Sequence, residues 1–91
     1  MAATKQNSRF PSVAGLALAA TGLSHFAKPE LFESITAPAF PNNTRKFIFI
    51  NGGIETALGL ALLRPETRKL AGLGGLAYAV YLGANAARNQ A

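Results

Sequence analysis

Three apolar stretches alternate with short polar ones: PSVAGLALAATGLSHFA over residues 11–27, FIFINGGIETALGLALL over 47–63 and LAGLGGLAYAVYLGANAA over 70–87. None carries a polar stripe at period 3.6, as a helix on the surface of a water-soluble bundle would. Each lies near the lower end of the roughly 17–25 residues a spanning helix needs. Flanking Ser, Thr or Arg residues extend them to spans of about 11–27, 45–63 and 68–87. The pattern predicts an all-α membrane protein, one domain over residues 1–91, with three transmembrane helices. The competing reading is a soluble helical bundle, because short apolar runs can also be buried core helices.

The connections add detail. KPELFESITAPAFPNNTRK follows the first stretch, with Pro29 suited to a first helical position and Glu30 to the positive end of a helix. Leu31, Phe32 and Ile35 would share a face, which predicts a short interfacial helix between the first and second spans. Pro38 and Pro41 end it, and Asn42, Asn43 or Thr44 can cap the next span. Only RPETRK separates the second and third stretches, so those two spans form an antiparallel hairpin. Lys5 and Arg9 ahead of an apolar run also match the start of a signal peptide. Cleavage after Ala17-Leu18-Ala19 would leave a very short apolar core, so a retained first helix is the expectation.

Composition narrows the classes. Hydrophobic residues make up 49% of the 91 residues and charged ones 14%, against roughly 25% charged in an average soluble domain. The net charge of +5 is scattered in clusters at the ends of the apolar runs. Nucleic-acid binding calls for a basic face, so it is not expected; flanking clusters are what spans show. With no cysteine and one histidine, disulfides, thiol chemistry and a metal site are not expected. Arg64, Arg68 and Lys69 crowd the hairpin loop, and Lys5 and Arg9 would share its side. The positive-inside rule then puts the N-terminus and that loop in the cytoplasm and the C-terminus outside.

Small residues recur along each stretch: Gly15, Ala19 and Gly22; Gly52, Thr56 and Gly59; Gly75, Ala79, Gly83 and Ala87. Such seams let membrane helices approach closely. The third, with Gly75, Ala79 and Gly83, is expected to meet a helix of another chain. In an antiparallel arrangement rising about 1.5 Å per residue, polar groups from three helices come to similar depths. His25, Asn51, Glu55, Tyr81 and Asn85 form the predicted buried polar cluster, with Tyr78 near the level of Glu55. A carboxyl at that depth costs at least about 2.5–3.5 kcal/mol. Glu55 is therefore either neutral or hydrogen-bonded helix glue, or a proton or ligand site. No second acidic group lies in the spans to complete a relay, which favours glue.

GLSHFAKPELFESI followed by GGIETALGLALLRPETRKLAGLGGLAYAV resembles the DoxX-like family of small bacterial membrane proteins. The resemblance rests on Gly22, His25, Phe26, Pro29 and Phe32, then Glu55, Gly59, Leu62, Leu63, Pro65, Thr67 and Arg68, and spans about residues 15–85. It implies a four-helix bundle in the bacterial inner membrane, with relatives linked to quinone-dependent oxidation of sulfur compounds or to membrane oxidoreductase assemblies. Three of the usual four helices are present, so the fourth is expected to be absent or to come from another chain. The functional expectation is a small non-catalytic membrane subunit with no cofactor, whose partners are other integral membrane chains and lipids. The alternative implied by the resemblance is a quinone- or lipid-binding redox component. A third is a holin-like pore, which should show a polar stripe along a full helix.

Overall fold

Hydrophobic continuity and the positions of the prolines produce the elements. The computed structural model describes residues 2–90 and the side chains of residues 9–90. Four α-helices follow in order: α1 (Ala2–Ala27), α2 (Glu33–Thr36), α3 (Thr44–Leu62) and α4 (Arg68–Gln90). Short 3-10 turns at Pro29–Phe32 and Pro65–Thr67 lead into α2 and α4, and each starts with a proline, whose missing N–H costs nothing at a first helical position. Among the described residues there is no strand.

Helix α1 begins well before the expected boundary and continues through Pro11. Between the first two long helices, the expected single interfacial helix is instead a 3-10 turn followed by one α-helical turn. Its tighter winding changes which residues share a face. Leu31 and Ile35 point outward, while Phe32 turns in and stacks on His25, with ring centroids 3.7 Å apart. Asn43 precedes α3 with φ 59°, a left-handed conformation that asparagine tolerates better than most residues. Its side chain makes no capping bond. Thr44 Oγ1 instead donates to the Phe40 carbonyl.

Helix α3 is the centre of a flat arrangement, with overall extents of 49 × 28 × 16 Å. Helix α1 packs antiparallel along it through the small residues. An ideal Cβ on Gly15 would lie 2.6 Å from the Gly59 carbonyl oxygen, and one on Gly22 would lie 2.6 Å from that of Gly52. The first two seams thus face each other. Helix α4 returns antiparallel on α3, with Ala71 buried and Gly74 against Leu58. Thr67 Oγ1 donates to the Ala61 carbonyl and Arg68 Nε to that of Leu62, which satisfies the free carbonyls at the end of α3.

Many large apolar side chains lie on the exposed surface. Among the described residues, Ile48 is the one large side chain that is fully buried. Phe10, Leu16, Leu23, Leu60, Leu73 and Leu76 are all exposed. Two helical stretches, Arg9–Ala27 and Pro65–Gln90, are long and apolar enough to cross a membrane. Two of the three expected spans therefore qualify by length and composition. The 19 residues of α3 include Arg45, Lys46 and Glu55, too many charges for so short a helix to qualify by composition.

Candidate functional site

The register of the two antiparallel pairs brings polar groups of α1, α3 and α4 to one level. Tyr78 on α4 donates its hydroxyl to Glu55 Oε2 at 2.5 Å, and Tyr81 donates to Asn51 Oδ1 at 2.9 Å. These pairs, like Leu58 and Gly74, are almost symmetric about the loop at Pro65–Thr67, as a tight hairpin requires. From the other side, Gly52 lets the last turn of α1 come close: a Cβ there would sit 2.5 Å from His25 Cβ. His25 Nε2 consequently lies 3.9 Å from Glu55 Oε2.

The histidine is held on two sides. Its Nδ1 is 2.7 Å from the Thr21 carbonyl oxygen. A carbonyl only accepts, so Nδ1 carries the hydrogen and Nε2, in neutral imidazole, is an acceptor. Phe32 covers one face of the ring. His25 is 5% exposed and Asn51 4%, while Glu55 retains more access.

Above these groups lies a cavity of about 220 Å³. It is lined by His25, Asn51, Glu55 and Tyr78, with Phe40 and Leu82 supplying apolar wall. Helix α2 and the turn after it contribute Thr36, Ala39 and, at the cavity's edge, the mostly exposed Ile35. No lysine or arginine lines it. Arg45 pairs with Glu33 at 3.0 Å on the exposed surface, tying α2 to the first turn of α3.

Of the five residues expected to cluster, His25, Asn51, Glu55 and Tyr81 come together. Asn85 does not join them. Its Nδ2 donates to the Tyr81 carbonyl and its Oδ1 accepts from Arg88. Tyr78, placed by the sequence only near the level of Glu55, is its direct partner. Phe32 also belongs to the site through its stack on His25, which a face shared with Leu31 and Ile35 does not indicate. Hairpin register, counted outward from Pro65–Thr67, is the signal that selects Tyr78. The third seam stays outside the packed region: a Cβ on Gly75 or Gly83 would meet nothing within 4 Å.

Chemically, the cluster can hold a proton or accept hydrogen bonds from a bound group. Among the described residues, no three His, Cys, Asp or Glu side chains approach closely enough to hold a metal ion. Residues 14–90 match the family described as Domain of unknown function (DUF8561), and the chain belongs to that family. No curated protein and no solved structure matches it.

Proposed function

We propose that the chain is a small three-span integral membrane subunit that packs into or onto a larger membrane protein complex, without catalysis of its own. The observation that carries this reading is the outward face of α4. Leu70, Leu73, Leu76 and Val80 are 67%, 67%, 66% and 63% exposed. Beside them, Gly72, Gly75 and Gly83 open onto empty space. An apolar face this continuous is unfavourable in water and costs nothing in lipid. A small-residue seam within it also favours another helix over lipid, because close backbone approach gains contacts that mobile tails do not match. The α1–α3 pair, built on Gly15, Gly22, Gly52 and Gly59, shows what such seams do within this chain.

The middle helix fits the same setting. Flanked by α1 and α4, α3 keeps Glu55 hydrogen-bonded inside the row, while Arg45 and Lys46 stay exposed at its end, where long basic side chains reach the headgroups. The basic hairpin loop supports a cytoplasmic N-terminus in a bacterial inner membrane, and the DoxX-like resemblance supports the same location. A pore is less well supported, because the polar groups gather at one level rather than along a full helix.

Replacing both Ala79 and Gly83 with leucine tests the subunit reading. The variant should remain in the alkali-extracted membrane fraction but run on native gels as a free small protein, whereas the wild type runs in a larger assembly. A variant that kept the larger size, or a wild type that is a lone monomer in bilayers, would overturn it.

A further inference from the structure

The cavity beside Glu55 has a chemistry that the subunit reading leaves unused. Glu55 Oε2 and His25 Nε2 face each other across 3.9 Å. With Nδ1 committed as a donor to Thr21, neutral His25 presents a lone pair, so two acceptors look into one gap. Tyr78 donates to the same carboxyl oxygen, Oε2. No permanent cation lines the cavity. Apart from a protonated His25, an acidic group in this position has no countercharge, and two of its neighbours, His25 and Asn51, are more than nine-tenths buried.

We propose that this cavity binds a small lipophilic ammonium ion, with the charged nitrogen between Glu55 and His25 and its apolar body against Phe40 and Leu82. A primary ammonium brings the positive charge the carboxylate lacks and several N–H donors for acceptors that now face each other. The rings of Phe40 and Tyr78 line the same space, and aromatic faces attract organic cations. At about 220 Å³ the cavity is smaller than the roughly 300–1,000 Å³ of drug-sized sites, which limits the ligand to one ring or a short chain. An anion is repelled by Glu55, and an acceptor-only ligand leaves both facing acceptors unsatisfied.

The test uses the full chain in phosphatidylcholine nanodiscs and calorimetric titration with phenethylammonium. Its comparators are 2-phenylethanol, which has the same shape without the charge, and menadione, a neutral quinone. Phenethylammonium should saturate one site, with both comparators at least about tenfold weaker, as loss of a charge-assisted bond implies. Glu55→Gln should remove the preference for the amine while circular dichroism shows an intact helical fold. Leu82→Trp, which adds bulk to the cavity wall and leaves the carboxyl in place, should block binding as well. Replacing part of the phosphatidylcholine with phosphatidylethanolamine identifies the source. Competition assigns the ammonium to a lipid headgroup, and its absence assigns it to a free amine; either outcome supports the site. Equal binding of menadione or the alcohol, unchanged amine binding by folded Glu55→Gln, or no saturable binding would overturn the proposal.

Discussion

Glu55 illustrates how a polar residue can be kept inside an apolar chain. Its desolvation is offset by the Tyr78 hydroxyl at 2.5 Å, and hydrogen bonds to charged groups contribute about 1.5–3 kcal/mol. Tyr78→Phe should therefore lower stability by about that amount, measured as a lower thermal midpoint in detergent. Tyr81→Phe, which leaves Asn51 Oδ1 without its donor, should cost less because both partners are neutral. Glu55→Gln should be mild, since an amide still accepts from Tyr78, whereas Glu55→Leu strands the tyrosine hydroxyl and should destabilise clearly. A Gln variant as damaging as Leu would mean that the carboxyl's charge, rather than its hydrogen bond, holds the helices. Depth counting placed four of the five expected cluster residues together. It missed the status of Tyr78 because depth alone does not say which of two tyrosines a turn apart faces the carboxyl.

At the scale of elements, the glycines divide into two kinds that look alike in sequence. Gly59 is buried against α1, where a Cβ would lie 2.6 Å from the Gly15 carbonyl oxygen; Gly72 has nothing within 4 Å. Gly59→Ala should cost about 1–3 kcal/mol through overpacking. Gly72→Ala should be neutral or stabilising by up to about 1 kcal/mol through helix propensity. Thermal unfolding of the two variants side by side checks this, and equal effects would contradict the α1–α3 interface described above. The three long helices and the hairpin were legible because apolar run length and the prolines define them locally. Which seams pair was not, since that choice depends on the whole arrangement. The α2 segment departs from expectation for a related reason. Three apolar residues suggested one α-helical face, but the 3-10 turn after Pro29 sends Phe32 inward to His25 while Leu31 and Ile35 face out.

For the whole molecule, the flat row of helices has a thin interior and an apolar exterior, an arrangement suited to lipid and to neighbouring helices. Two helical stretches qualify as spans by length and composition alone, and α3 joins them in the proposed topology because its neighbours cover its polar side. The chain has no cysteine, so single reporters can be introduced without background. Thr67, in the hairpin loop, and Asn89, near the end of α4, lie at opposite ends of the last helix. The most direct measurement is labelling of Thr67→Cys and Asn89→Cys in intact cells with a membrane-impermeant maleimide. Asn89→Cys should be labelled from outside and Thr67→Cys only after the cells are opened. Reaction of both from the same side, or recovery of the protein in the soluble fraction, would contradict it.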